Sequence, residues 1–135
     1  MGKISVLVID DHPANTKLIS FVLENRGFEV HSAENSEQAK ALLERIQPNI
    51  ILMDIQLPGT DGLTLTRELR TDPRFAETPI VAVTAYAMAA DEQTAREAGC
   101  DAYMSKPIDT RALGALVTRM VEKGRNHDGS NPSRG

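Results

Sequence analysis

Ile50-Ile51-Leu52-Met53-Asp54-Ile55-Gln56-Leu57-Pro58-Gly59-Thr60-Asp61-Gly62 is the stretch that decides the fold of this chain. It begins with four apolar residues, two of them β-branched, which predict a strand buried on both faces. One carboxylate, Asp54, stands where that strand should end. Pro58-Gly59 and Asp61-Gly62 follow as loop punctuation. In open parallel α/β sheets, ligands and chemistry gather beyond the carboxyl ends of the strands. At such an edge Asp54 is placed to be a nucleophile or a metal ligand, or else simply an aspartate that turns the chain.

Working outward, the same grammar repeats. Ile4 to Ile9 is a short apolar run that ends in Asp10-Asp11, and two adjacent acids are a poor continuation of a buried strand. Pro13 fits the first turn of a helix whose apolar residues are Leu18, Ile19, Phe21, Val22 and Leu23, with Gly27 as its stop. Phe28 to Ala33 predicts a second, more exposed strand. Asn35 or Ser36 caps the next helix, with Gln38 as a capping-box partner. The stripe of that helix is Ala39, Leu42, Leu43 and Ile46, and Pro48 ends it. Leu63 to Arg70 predicts a third helix, broken at Asp72-Pro73.

Ile80 to Thr84 is another buried strand, ending in a hydroxyl. Ala87 to Ala98 is an alanine-rich helix stopped by Gly99. Its thin apolar stripe predicts looser packing than its neighbours and freedom to move. Ala102 to Met104 is a fifth strand, followed by Ser105-Lys106-Pro107. Asp109 or Thr110 caps a last helix with the stripe Leu113, Leu116, Val117, Met120 and Val121. Residues 1–123 form one domain on this reading, and the polar stretch 124–135 is expected to be a disordered tail.

Strands alternating with helices imply a parallel sheet covered on both faces. Asp10-Asp11, Asp54, Thr84 and Lys106 each follow directly on a separate predicted strand. In a parallel sheet those ends share one edge, so the residues should converge. Two or three carboxylates there make a hard, oxygen-rich site that suits Mg²⁺. At about 4 Å and an effective dielectric near 20, two like charges repel by roughly 4 kcal/mol, which a divalent ion would relieve. Asp54 beside such an ion and Lys106 is equipped for nucleophilic attack on phosphorus. The hydroxyl of Thr84 could then bond the product and bias a mobile element.

Composition excludes several classes. The chain has 135 residues, enough for one domain with a sizeable core, and its 41% hydrophobic and 25% charged residues are an ordinary globular balance. A net charge of -4 argues against a nucleic-acid-binding surface. The single cysteine, Cys100, excludes an internal disulfide framework and fits a reducing cytoplasm; its expected role is a small apolar residue before a strand. No apolar run approaches membrane-spanning length, and no signal peptide is expected after Lys3.

At these residues the sequence resembles the receiver domain of two-component response regulators. The resemblance covers residues 3–123 and is carried by Val8-Ile9-Asp10-Asp11, Met53 to Gly62, Val83-Thr84-Ala85 and Lys106-Pro107. It implies a flavodoxin-like, CheY-like (βα)₅ fold with strand order 2-1-3-4-5. It implies that Asp54 accepts a phosphoryl group from a phosphohistidine on a histidine kinase or histidine phosphotransfer protein. Asp10 and Asp11 would hold Mg²⁺ with Asp54 and the backbone carbonyl of Gln56. Lys106 would pair the phosphate, Thr84 would be the switch hydroxyl, and Tyr103 the switch aromatic that turns inward. The shape change would control a downstream protein target at the face of the fourth helix, fifth strand and fifth helix. A homodimer through that face is open on this reading, whereas nucleic acid and membrane are not expected partners.

The sequence is similar to stand-alone receivers of the chemotaxis or DivK type, with a receiver excised from a hybrid kinase or larger regulator as the alternative. Partners are expected on the first helix, where His12, Asn15, Leu18 and Ile19 are candidate contacts, and on the fifth strand and helix. Metal ligation by His12 sits poorly beside hard oxygen ligands.

Three rivals are weaker. A phosphohydrolase of the haloacid-dehalogenase type needs a second acid two residues after its nucleophile, and Gln56 cannot do that work. A flavin or nucleotide module would want a glycine-rich loop where Asp10-Asp11 stands. A binding domain indifferent to phosphorylation would have no use for the acids, hydroxyl and amine together. No turnover of a small substrate is expected, so the protein is not read as an enzyme. Gln56 and Tyr86, two residues after Asp54 and Thr84, should flank the phosphoryl group. A bulky Tyr86 should hinder attacking water, so phosphoprotein decay should be slower than in Tyr86→Ala. Equal decay rates of the two proteins would remove that shielding role.

Overall fold

The computed structural model describes residues 3–57, 61–85 and 89–126, with side chains described to Glu122 but not at 89–91. Pro58-Gly59, Tyr86, the expected helix start at Ala87 and residues 127–135 of the expected tail lie outside the described residues. Among the described residues, five strands and five helices alternate. They are β1 (Ser5–Ile9), α1 (Pro13–Glu24), β2 (Glu29–Ala33), α2 (Ser36–Leu43) and β3 (Ile50–Asp54). There follow α3 (Gly62–Arg70), β4 (Ile80–Thr84), α4 (Ala89–Ala98), β5 (Ala102–Ser105) and α5 (Thr110–Asn126). All strand pairs are parallel, in the order β2-β1-β3-β4-β5.

The central strands are apolar along their length because both faces are covered. Alternate residues serve opposite cores, as the two-residue period of a strand requires. Leu7, Ile9, Ile51, Met53, Ile80 and Ala82 join α2, α3 and α4 on one face through Ala39, Leu65, Leu69 and Ala95. Val6, Val8, Ile50, Leu52, Val81 and Val83 meet α1 and α5 on the other, through Ile19, Leu23, Leu113 and Val117. Burial of these side chains supplies most of the driving force, at about 25 cal/mol per Å² of apolar surface.

Local signals set the element ends. Pro13 opens α1, and Gly27 takes the positive φ of 92° that closes its turn. The side chain of Asn35 accepts from the Gln38 N–H at 2.9 Å, while Gln38 Oε1 reaches back to the N–H of Glu34. Asp109 Oδ1 accepts from the N–H groups of Arg111 and Ala112. α5 runs to Asn126, so the stretch read as tail begins as helix.

One expectation needs correction, and it lies on α1. Leu18 and Phe21 stand 39% and 68% exposed. The five apolar residues of α1 are more than one face holds, and Ile19, Val22 and Leu23 take the buried side. Ile19, offered as a partner contact, is 1% exposed and unavailable.

One glycine is fixed by a close approach. A Cβ on Gly62 would stand 2.5 Å from the backbone oxygen of Asp54 and 2.7 Å from Ile55 Cα. Neither backbone atom can move aside as a flexible side chain could. Gly62→Ala should therefore lower unfolding free energy by about 1–3 kcal/mol, read by urea denaturation. An unchanged midpoint would contradict this packing.

Candidate functional site

The sheet register builds the site. Ile9 is level with Met53, so Asp10 leaves β1 beside Asp54. Asp54 is level with Val83, which sets Thr84 one step beyond it, and Thr84 is level with Ser105, which sets Lys106 one step further. Asp10 and Asp54 thus stand level on one rim, and β4 and β5 each end one residue further along it than β3.

The side chains meet there. Lys106 Nζ lies 3.1 Å from Asp54 Oδ2 and 3.3 Å from Asp10 Oδ2. The two acids are nearly inaccessible, at 2% for Asp54 and 3% for Asp10. Two buried carboxylates without a counter-charge would be costly, and the ammonium supplies it. Asp54 Oδ1 accepts the Gln56 N–H at 2.9 Å, which keeps the Gln56 backbone beside the carboxylate. Thr84 is fully buried, and its hydroxyl donates to Gln56 Oε1 at 3.3 Å. Tyr103 is half-buried and packs against the core cluster under α2, α3 and α4.

Burial pulls the pKa of Lys106 down, but its hydrogen bond to Asp54 and the charges of Asp10 and Asp54 outweigh that pull. The net result is a pKa above the ordinary lysine value.

The donors fit a cation. Asp10, Asp11, His12 and Asp54 each offer one ligand atom, all within 4.8 Å of one another. Asp11 Oδ1 is buried without a hydrogen-bond partner among the described residues. His12 Nδ1 approaches that oxygen to 3.2 Å, but not with hydrogen-bond geometry. An orphaned carboxylate oxygen facing two further acids is the chemistry a hard divalent ion satisfies.

Asp10, Asp11, Asp54, Gln56, Thr84 and Lys106 therefore share one rim, whereas Tyr103 lies further back along β5, level with Ala82. Two placements differ from the sequence reading, which takes Asp61 as loop punctuation and His12 as a poor partner for a hard metal. Asp61 caps α3, accepting the Thr64 N–H at 2.8 Å. Cap and loop aspartates look alike until the helix start is known. His12 reaches into the acid cluster, at 3.1 Å from Asp10 Oδ1. The Asp10-Asp11-His12 adjacency was the available signal.

Comparison with known proteins gives one answer. The model of the response regulator receiver domain matches residues 6–118. The polar-differentiation response regulator DivK of Brucella anthropi is 42% identical over 104 residues, spanning 77% of this chain and 85% of that protein. Its counterpart in Brucella ovis is 41% identical over the same length. Among solved structures, a CheY-like receiver domain protein from Methanospirillum hungatei superposes with a TM-score of 0.85 at 27% identity, covering 94% of this chain and 99% of that one. A two-component response regulator from Clostridium difficile gives 0.84 at 26%, covering 94% and 100%.

The ion-pair geometry sets a stability test. With its folded pKa raised, Lys106 contributes fully below its unfolded value and loses the contribution as pH rises through the folded value. Lys106→Ala should cost about 2 kcal/mol from pH 7 to near 10, less than a fully buried pair, and the difference should shrink above that. Asp54→Asn should raise the melting temperature of metal-free protein, and Mg²⁺ that of the wild type. Unchanged melting in all of these would remove the account of a charged cluster.

Proposed function

The chain belongs to the response regulator receiver domain family, and we propose that Asp54 is its phosphoacceptor, charged by a phosphohistidine on a histidine kinase or phosphotransfer protein. Receiver domains of two-component systems are signalling proteins, and the acidic pocket of Asp10, Asp11 and Asp54 fits the site of phosphorylation. The observation that carries the residue assignment is Lys106 set against both Asp10 and Asp54 at the rim of the sheet.

Asp54 is held for attack. The Gln56 N–H on one oxygen and the ammonium of Lys106 on the other fix the carboxylate plane. A carboxylate oxygen forms the new bond to phosphorus as the P–N bond of the donor breaks, and the released imidazole takes up a proton. Asp10, Asp11, Asp54 and the backbone carbonyl of Gln56 would hold Mg²⁺. When bound, Mg²⁺ would offset charge on the phosphoryl oxygens and among the acids. Lys106 pairs a phosphoryl oxygen. Thr84 exchanges Gln56 for the new acceptor, and Tyr103 moves inward with it.

The face of α4, β5 and α5 then changes shape and reaches a downstream protein. The exposed Leu18 and Phe21 support docking of the donor on α1, with Asn15 nearby. The DivK relatives, matched over 85% of their length, support a regulator that works as a receiver alone. Among the described residues no helix is long and apolar enough to cross a membrane, and a cytoplasmic role suits a kinase-coupled receiver. Homodimerisation through the α4-β5-α5 face belongs to the same proposal.

Acetyl phosphate with Mg²⁺ should add one phosphoryl group, mapped to Asp54 by mass spectrometry. Asp54→Asn or chelation should abolish the label. A label on another residue, or an unlabelled wild type, would overturn the assignment.

A further inference from the structure

One member of the rim cluster has no part in the reaction described above. His12 Nδ1 lies 3.1 Å from Asp10 Oδ1, 3.2 Å from Asp11 Oδ1 and 3.9 Å from Asp54 Oδ2. Around an octahedral ion with bonds of about 2.1 Å, adjacent ligands stand about 3.0 Å apart and opposite ones about 4.2 Å. The nitrogen therefore keeps ligand spacing from three acids at once. The Asp11 Oδ1 it approaches is the buried oxygen without a hydrogen-bond partner among the described residues. The backbone holds the residue there: the His12 N–H donates to Asp10 Oδ1 at 2.8 Å. The ring makes no side-chain cap on α1 and is 60% exposed, so it is free to turn toward or away from an ion.

We propose that His12 Nδ1 is a ligand of the rim cation site and makes that site favour first-row transition dications, such as Mn²⁺, Ni²⁺ and Zn²⁺, over Mg²⁺ beyond the preference of its carboxylates. The inference rests on the cation site of the preceding subsection. Mg²⁺ is hard, keeps its waters and gains little from imidazole nitrogen. The later dications take imidazole readily, with affinity rising from Mn²⁺ toward Ni²⁺. With Mg²⁺, three acids do the holding and His12 stays paired with Asp10. With Mn²⁺, Ni²⁺ or Zn²⁺, Nδ1 gives up its hydrogen bond and adds a fourth side-chain donor. The same aspartates thus serve both ions, and one ring sets the choice between them.

The test titrates wild type and His12→Ala with Mg²⁺ and with Ni²⁺ by calorimetry, and records electron spin-echo modulation of the Mn²⁺-loaded proteins. His12→Ala should weaken Ni²⁺ by about tenfold or more, the scale of a lost ligand contact, and leave Mg²⁺ within about twofold. A ¹⁴N modulation should appear in wild type and vanish in the variant. Equal weakening of both metals would mark a merely structural role and overturn the inference, as would unchanged Ni²⁺ affinity or absent ¹⁴N modulation. If wild type binds Mg²⁺ with no nitrogen at Mn²⁺, only the His12 assignment falls. If no dication binds wild type, the cation site falls with it.

Discussion

Lys106 is the constraint on which the rest of this structure depends. Its ammonium lies between Asp10 and Asp54, two carboxylates almost fully removed from water. Either acid alone would pull water into the rim or give up its charge. With the ammonium in place both stay buried, and the amine's own pKa rises despite its burial. The arrangement remains short of positive charge, because Asp11 adds a third acid with an oxygen that has no hydrogen-bond partner among the described residues. One cation is built in, and the three acids together suit a second.

The sheet makes that arrangement cheap to hold. Because the strands are parallel and in register, the four functional ends need no long loop to reach one another. Gly62 lets α3 begin almost in contact with the Asp54 backbone. The opposite rim is tied by one side chain. Arg70 donates to the carbonyls of Gly99, Phe75 and Thr78 and pairs with Asp101, whose Oδ2 also accepts the Ile80 N–H. One guanidinium thus anchors the end of α3 to the starts of β4 and β5. On α4, by contrast, the buried residues among the described side chains are the small Ala95 and Ala98.

Much of this was legible in the sequence, for a physical reason. Doubly covered strands must be continuously apolar, and polar residues at their ends stand out sharply, as Asp10, Asp54, Thr84 and Lys106 do. Caps and stops were legible where a residue type has one good use, as with Pro13, Asn35 and Gly27. The first helix was not: its apolar residues outnumber the positions that face the sheet, and periodicity alone cannot say which are left outside. Leu18 and Phe21 are those. The roles of Asp61 and Arg70 are not legible, because most of their partners are backbone groups that composition does not mark. Ligand hardness argues against His12 beside Mg²⁺ but says nothing about where the ring sits.

The central claim is that one rim gathers an acid acceptor, an amine and a hydroxyl around a single phosphoryl position. A crystal structure of the protein with beryllofluoride and Mg²⁺ tests it most directly. The account predicts the adduct bonded to an Asp54 carboxylate oxygen, with Lys106 Nζ and Thr84 Oγ1 each within hydrogen-bond distance of fluorine. An adduct on another residue, or one on Asp54 with Lys106 turned away, would contradict it.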